Sequence, residues 1–324
     1  MESSNIEWTD DTHNSWEGCT KVSAGCENCY AETRNKRFHD GENWGYGAPR
    51  LERIASTRNK PIKWNKEGPD GRRVFCGSLM DWLDREAPLH LQRELVEMIL
   101  ETPRLNWLML TKRPDRWRPL MEMIVSSMVI TPPKNPEVIG KLCGWLNGDA
   151  PENVWFGFSA EDQINFDIRW DIVRDIPAAK RFVSVEPQLS MIEFGNRKVE
   201  GVLTRARSNP DAPDHNIEIS ETTVGKLDWA IFGGESGPGA RPYNVDWAVK
   251  GVAECRKLGV TPFVKQLGAK PEINGTGIRL KDSKGGDWNE WPDLGVHVRE
   301  WPTGEKKTPP GCSVDSVRPS VARE

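Results

Sequence analysis

Six short apolar runs recur along the chain, each four or five residues long and separated by polar stretches. They cover residues 74–77, 107–111, 154–158, 181–185, 229–233 and 262–266. Runs of this length that are apolar on both faces are typical of buried parallel strands, because such strands are covered by other elements on both sides. The pattern therefore predicts a sheet with six core strands.

Amphipathic stretches lie between several of these runs and predict helices over residues 88–101, 165–176 and 246–258. Apolar residues recur there every three or four positions, which is the period of one helix face. Pro88 suits a first helical turn, and Gly259 suits a C-terminal cap. Strands that alternate with helices predict an α/β fold, here a partial or complete parallel (β/α) barrel.

Polar residues follow each apolar run, where a parallel barrel would bring the strand ends to one mouth. The strand-end candidates are Ser78, Asp81, Ser159, Glu161, Glu186 and Glu235, together with residues 111–114, 233–237 and 265–266. For any single position, an ordinary turn or capping residue is the alternative interpretation. Six such ends in succession favour a shared functional site.

Two segments interrupt the alternation, residues 126–153 and residues 190–226. Each has too few apolar residues for a core of its own, so we expect insertions or lids in a barrel that spans residues 1–268. Residues 269–324 form a Trp-rich C-terminal extension in this interpretation. We expect Trp288, Trp291, Val296, Val298 and Trp301 to pair there as short strands, with a turn at residues 285–286.

Charge and composition limit the partners and the cellular location that we expect for the chain. Its 324 residues include 44 Lys and Arg against 48 Asp and Glu, so no overall basic field attracts nucleic acid. The first eleven residues are polar, and no run reaches the ~18 apolar residues of a membrane span. We therefore expect a cytoplasmic protein without a membrane partner. Its seven cysteines would remain thiols there.

Three of the cysteines, Cys19, Cys26 and Cys29, form a C-x6-C-x2-C cluster. Thiolates are the preferred protein ligands of iron–sulfur clusters and zinc, and three of them leave one coordination position open. One alternative is a [4Fe–4S] cluster with one free iron. Another is structural zinc completed by His13 or His39. The other four cysteines are scattered, and we do not expect them to bind metal: Cys76, Cys143, Cys255 and Cys312.

Five stretches of the sequence, residues 16–19, 25–32, 111–114, 233–237 and 284–288, carry a resemblance to a known family. They resemble a bacteriophage three-cysteine-motif family of undefined function, which looks like a divergent branch of the radical S-adenosylmethionine enzymes. The resemblance runs from about residue 5 to residue 302. It implies an α/β barrel, a [4Fe–4S] cluster on Cys19, Cys26 and Cys29, and S-adenosylmethionine (SAM) on the open iron.

This resemblance also implies a reaction. A one-electron reductant would drive cleavage of SAM to methionine and a 5'-deoxyadenosyl radical, which abstracts hydrogen from a substrate. The commonest radical-enzyme pattern is C-x3-C-x2-C with an aromatic residue before the last cysteine. Here the first interval is six residues, and Asn28 occupies the aromatic position, with Tyr30 following the last cysteine.

The strand-end residues supply expected cofactor contacts. Ser78 and Asp81 suit the amino group of SAM, because they follow the strand nearest the cysteine loop. Ser159 and Glu161 suit the ribose hydroxyls. Two further carboxylates, Glu186 and Glu235, would orient cofactor or substrate, or would only satisfy backbone donors. The sequence does not identify a catalytic acid or base.

A local basic stretch raises the question of a nucleic-acid partner. Residues 31–73 hold eleven Lys and Arg against six Asp and Glu, interleaved with Phe38, Trp44, Tyr46 and Trp64. Basic side chains that bind phosphate and aromatic rings that stack on nucleobases would form a nucleic-acid groove. The slightly favoured alternative is a solvent-exposed charged face whose aromatic side chains lie in the core. The phage resemblance favours DNA or a modified nucleotide as substrate, for example isomerisation of a hypermodified thymine. The competing class is a zinc-stapled nucleic-acid-binding module without catalysis.

Overall fold

The computed structural model of the chain describes residues 4–195, 227–237, 239–304 and 306–307. These residues form an α/β structure around one large sheet. The described strands are β1 (Asp11–His13), β2 (Trp16–Glu17), β3 (Leu51–Glu52), β4 (Arg72–Cys76), β5 (Leu105–Thr111), β6 (Val154–Ser159), β7 (Lys180–Val185), β8 (Trp229–Gly233), β9 (Tyr243–Asn244), β10 (Thr261–Gln266), β11 (Pro271–Ile273), β12 (Thr276–Gly277), β13 (Arg299–Glu300) and β14 (Lys306–Lys307).

The large sheet has nine strands in the order β1-β4-β5-β6-β7-β8-β10-β13-β14. The first seven are parallel, and β13 and β14 add to the edge in antiparallel orientation. The six apolar runs correspond to β4, β5, β6, β7, β8 and β10, so the predicted core strands are confirmed. Because β1 and β14 are edges in the described structure, the sheet is an open half-barrel rather than a closed ring.

Eight described α-helices accompany the sheet: α1 (Tyr30–His39), α2 (Ala55–Arg58), α3 (Lys60–Glu67), α4 (Leu89–Glu101), α5 (Trp117–Ile130), α6 (Glu137–Leu146), α7 (Gln163–Val173) and α8 (Val245–Leu258). Short 3-10 turns occupy Ala24–Cys26, Pro114–Arg116 and Trp288–Glu290. The three predicted helices are α4, α7 and α8. Gly259 ends α8 at φ 73°, the left-handed conformation that glycine adopts without a Cβ penalty, so the predicted cap is confirmed.

Aromatic side chains fill the concave face of the sheet and show its curl. The Trp8 ring lies 4.5 Å from Phe75 on β4 and 6.0 Å from Trp229 on β8. Strands β4 and β8 are four positions apart and would be about 19 Å apart on a flat sheet. One indole can touch both only because the sheet bends around it. The concave cluster also contains Leu108, Trp155, Phe182, Ile231, Phe263 and Trp301.

Helices α4 to α8 supply buried side chains to the larger core on the convex face of the sheet. Residues 126–153, expected as an insertion or a lid, contribute to this convex core. The segment contains the end of α5 and all of α6, and Val138, Leu142 and Trp145 of α6 are fully buried. Since these side chains lie three and four positions apart, α6 presents one apolar face to the convex core.

The second expected lid lies mostly outside the described residues, which resume at residue 227. Its beginning packs inward, because the Phe194 ring lies 5.2 Å from Phe166 and 6.0 Å from Phe232. In the C-terminal part, β13 pairs with β10, which places the tail in the main sheet. Trp288 does not form the expected strand and lies in a 3-10 turn, buried against the convex core.

No described helix is both long enough and apolar enough to cross a membrane.

Candidate functional site

The cysteine loop, residues 18–30, lies against the carboxyl ends of the parallel strands. The Gly25 amide donates to Oε1 of Glu161, which follows β6, at 3.4 Å. The Asn28 side-chain amide donates to Oε2 of Glu235, which follows β8, at 3.0 Å. Parallel strands end at one edge of a sheet, so these contacts place the loop over that edge. The cysteines and the strand-end residues therefore share one mouth.

Backbone contacts hold the two ends of the loop. At its start, the Gly18 amide donates to the Leu79 carbonyl at 3.0 Å. At its end, the Tyr30 hydroxyl donates to the Ser78 carbonyl at 2.6 Å. The Ser78 hydroxyl accepts from the Asn14 amide at 3.1 Å. Ser78 thus sits beside the cysteine loop, as the sequence predicts, at the turn that follows β4.

The three thiols are unpaired and half-buried. Cys26 ends the 3-10 turn, and Cys29 is the N-cap residue of α1. Burial raises the pKa of Cys19 to about 12, although the Arg113 guanidinium opposes the shift. Burial also raises the pKa of Cys29. A metal cation that binds a thiol displaces its proton.

The arrangement of the possible ligand side chains bears on whether they could bind a single metal ion. In the described part of the chain, no three His, Cys, Asp or Glu side chains converge as ligands of one metal ion. Zinc requires such convergence, with Zn–S distances near ~2.3 Å. Cluster ligation needs no common point, because each thiolate binds a different iron.

The two candidate zinc-ligand histidines are placed elsewhere. His39 is the last residue of α1, whereas Cys29 caps its first turn, so about 15 Å of helix separates them. The His13 ring packs at 5.5 Å against Trp107, and its Nε2 lies 3.1 Å from the Ser15 hydroxyl. Burial lowers the pKa of His13 to about 3. Its ring is thus a neutral part of the core.

Both carboxylate oxygens of Asp81 already accept hydrogen bonds from other groups of the protein. Its Oδ1 accepts from the Thr111 hydroxyl at 2.7 Å and from the Leu83 amide at 3.0 Å. Its Oδ2 accepts from the Lys112 amide at 3.0 Å and from Nη1 of Arg113 at 2.7 Å. Four donors occupy both oxygens, so the expected contact from Asp81 to the SAM amino group would have to displace one of them.

Glu161 and Ser159 are also inside the protein. Glu161 is fully buried and pairs with Nη1 of Arg169 at 2.8 Å. Burial opposes its charge, but Arg169 and Lys112 outweigh that effect and lower the pKa of Glu161 to about 2. The Ser159 carbonyl accepts from the same Arg169 nitrogen at 2.7 Å. Glu161 therefore holds the cysteine loop as a carboxylate.

Glu235 has a similar supporting position. Arg241 donates to it from its backbone amide at 2.8 Å and from its guanidinium. The same guanidinium reaches back to the Ala24 carbonyl at 3.0 Å and to Glu27 at 3.2 Å in the cysteine loop. Burial opposes the charge of Glu235, but the Arg241 and Asn28 hydrogen bonds lower its pKa overall. This carboxylate also orients the loop.

Glu186 pairs with a lysine at the mouth. Its Oε1 lies 3.1 Å from Lys265 Nζ, and its Oε2 accepts from the Ser184 hydroxyl at 3.3 Å. The pairing of β10 with β8 is irregular at Lys265, a bulge that turns its side chain toward the strand ends. Gly233 lies close to this pair, and a Cβ there would lie 2.5 Å from Glu186 Oε1, so the Glu186 side chain would have to shift.

Arg169 and Arg241 were not among the residues predicted from sequence. Arg241 follows Glu235 by six positions and Arg169 follows Glu161 by eight, so a basic residue soon after each strand-end carboxylate was the available signal. Lys265 was expected at a strand end, and its pair with Glu186 places a cation there.

The basic stretch at residues 31–73 is largely neutralised. At least eight of its eleven bases form ion pairs: Arg34, Lys36, Arg50, Arg53, Arg58, Lys63, Arg72 and Arg73. Trp64 is in the core, as the solvated-face alternative expects. Phe38 and Tyr46, in contrast, are 59% and 88% exposed. Tyr46 follows Gly45, whose amide donates to the Cys19 carbonyl at 2.9 Å, so this ring stands near the cysteine loop.

Comparisons with known proteins give one match. Residues 3–292 match a family described as "Protein of unknown function (DUF5131)". No curated protein and no solved structure matches the chain.

Proposed function

This chain belongs to the DUF5131 family, whose function is unknown, and we propose that it is a radical SAM enzyme. The observation that carries the proposal is the position of the C-x6-C-x2-C loop. Its three thiols lie beside the carboxyl ends of a curled parallel sheet, where α/β enzymes of this architecture keep their sites.

The cysteine loop is well suited to hold a metal group. Glu161 and Glu235 bind its backbone and its Asn28 side chain, and Arg241 bridges to the Ala24 carbonyl. Ligands held by buried charges keep their geometry when a cluster binds. Cys19, Cys26 and Cys29 would be the ligands. When bound, a [4Fe–4S] cluster with SAM on its open iron would supply reductive cleavage to methionine and a 5'-deoxyadenosyl radical.

The mouth offers polar groups for SAM. Glu186 and Lys265 present an anion and a cation 3.1 Å apart, which complements the ammonium and carboxylate of an amino acid. Ser78 adds a hydroxyl next to Tyr30. Of the predicted contacts, Ser78 and Glu186 are therefore the strongest. Asp81, Ser159, Glu161 and Glu235 support the loop and its surroundings.

The substrate we propose is a base in DNA or a modified nucleotide, with isomerisation of a hypermodified thymine as the first reaction to test. Two observations support a planar, anionic ligand. Phe38 is exposed and flanked by the guanidinium groups of Arg34 and Arg37, each 5.3 Å from its ring. Tyr46 is exposed beside the cysteine loop. Exposed rings and cations of this kind bind bases and phosphates.

The test is release of 5'-deoxyadenosine. The anaerobically reconstituted full chain is incubated with SAM, a strong one-electron reductant and candidate DNA or nucleotides. We expect 5'-deoxyadenosine from the wild type and from Cys143→Ala, which changes a cysteine outside the loop, and none from Cys29→Ala. An iron-replete, reduced sample that binds SAM yet yields no more than the Cys29→Ala background would contradict the proposal.

A zinc-stapled nucleic-acid-binding module is the alternative that metal analysis distinguishes. It would contain one zinc per chain, and its DNA affinity would fall steeply with salt. The positions of His13 and His39 give this alternative no specific support. The ion pairs of the basic residues in 31–73 give it none either.

A further inference from the structure

We infer that Arg113 is a positioning residue that raises the reduction potential of the metal cluster through Cys19, and that Asp81 limits the size of this effect. The inference rests on the proposed function, since it concerns the group that the three thiols would hold. In this inference a network of buried charges changes the reduction potential of the cluster without binding SAM or touching substrate.

The Arg113 guanidinium is aimed at the cysteine loop. Its Nη1 and Nη2 each lie 3.6 Å from Cys19 Sγ, and Nη2 also donates to the Thr20 carbonyl at 2.5 Å. The Arg113 amide donates to the Thr111 hydroxyl at 2.9 Å, which fixes the turn after β5. One side chain thus contacts both the sulfur of Cys19 and the backbone carbonyl of the next residue, Thr20.

Arg113 keeps its charge despite being buried. Its side chain is only 7% exposed, its Nη1 pairs with Asp81 Oδ2 at 2.7 Å, and a guanidinium stays protonated in proteins. The four hydrogen bonds on Asp81 hold that carboxylate in one orientation. Asp84 lies 3.8 Å from Nη2. The guanidinium is therefore a fixed positive charge, partly balanced by two anions.

A second buried arginine fixes the other side of the loop. Arg50 donates to the Thr20 hydroxyl at 2.7 Å and to Asp84 at 2.6 Å, and its side chain is fully buried. Its Nη1 also donates to the Ala48 carbonyl at 2.7 Å. Cys19 is consequently held by a network that spans two arginines and two aspartates. Among the described side chains, no hydrogen bond of this kind reaches Cys26 or Cys29 Sγ.

The consequence for a cluster follows from electrostatics. Reduction adds one negative charge, and a cation or hydrogen-bond donor at a ligand sulfur stabilises the reduced form. Removing the Arg113 charge should lower the reduction potential. Removing the Asp81 charge should raise it, because the guanidinium is then less compensated. A role confined to packing predicts no such pair of opposite signs.

The experiment is an anaerobic redox titration of the reconstituted full chain, followed by the electron paramagnetic resonance signal of the reduced cluster. The variants are Arg113→Gln, Arg113→Lys and Asp81→Asn. Arg85→Gln is the matched control, because Arg85 is 54% exposed and pairs with Asp115. At the wild-type midpoint, we expect the ratio of reduced to oxidised cluster to fall at least tenfold in Arg113→Gln, about 59 mV for one electron.

The other variants complete the test. Arg113→Lys should lower the reduction potential by less than Arg113→Gln does, because lysine keeps the charge but loses the planar guanidinium fork. Asp81→Asn should shift to higher potential, and Arg85→Gln should match the wild type. If Arg113→Gln fails to retain a cluster, the opposite signs for Arg113→Lys and Asp81→Asn still decide the question.

Three results would overturn the inference, and they are distinguishable. If the wild type forms the cluster and the Arg113 variants titrate like Arg85→Gln, Arg113 has no tuning role and the proposed function stands. The same holds if Asp81→Asn shifts to lower potential. If the wild type assembles no iron–sulfur cluster, this inference and the proposed function both fail.

Discussion

The buried Glu161–Arg169 pair gives a quantitative prediction about the support of the cysteine loop. Glu161 is fully buried, and Arg169 Nη1 lies 2.8 Å from its Oε2. Replacing Glu161 by Gln keeps the side-chain shape and removes the negative charge. Arg169 would then retain the Ser159 carbonyl as a hydrogen-bond partner but would lose its buried counter-ion.

The size of the effect follows from the Glu161 pKa. A fall from the ordinary 4.5 to about 2 corresponds to roughly 3 kcal/mol, at about 1.36 kcal/mol per pH unit. Because the pKa is lower in the folded state, this contribution is fully present above about pH 4.5. It is lost as the pH falls from 4.5 toward 2, where the folded protein also binds the proton.

The assay is urea unfolding of wild type and Glu161→Gln at several pH values. We expect the variant to lose about 3 kcal/mol at pH 7, and the difference to shrink steadily below pH 4.5. Glu122→Gln serves as a control, because its pair with Arg118 is exposed and should contribute less than about 1 kcal/mol. A difference under about 1 kcal/mol at pH 7, or one that grows at low pH, would refute the reasoning.

Three further predictions test the fold by urea unfolding. Trp229→Ala should destabilise the protein by about 3–5 kcal/mol, because the ring fills the concave core. The exposed-ring control, Tyr46→Ala, should change stability by less than about 0.5 kcal/mol, and equal losses would contradict the assigned core. Gly157→Ala should cost about 1–3 kcal/mol, since its Cβ would lie 2.1 Å from the Phe182 ring, and an unchanged midpoint would show that the ring is not there. Gly259→Ala should cost about 1–2 kcal/mol because of its φ of 73°, and a stabilised variant would exclude that conformation.

Much of the sheet could be predicted from the sequence because its strands are apolar on both faces. Residues 229–233 were bounded correctly, and the other five runs differ from the strands by one or two residues at an end. Helix α6 was not predicted within residues 126–153, because a Pro-containing break at residues 131–136 separates it from α5. The spacing of Val138, Leu142 and Trp145 carries the helical period and was the overlooked signal.

The site was predictable only in part. Strand-end polar residues identify the mouth, because topology brings parallel strand ends together. Their partners depend on contacts between residues far apart in the chain, such as Asn28 and Glu235, which are separated by 207 positions. A sequence shows that Glu235 is a carboxylate, but not that Arg241 and Asn28 already occupy it. For this reason the contacts of Glu161 and Glu235 with the cysteine loop were not predicted, whereas their contacts with a cofactor stay predictions.

Iron and sulfide analysis of the anaerobically reconstituted protein tests the central claim most directly. The account predicts about four irons and four sulfides per chain in the wild type and in Cys143→Ala, and loss of both in Cys19→Ala, Cys26→Ala and Cys29→Ala. One zinc per chain without sulfide, or full iron in Cys26→Ala, would contradict it.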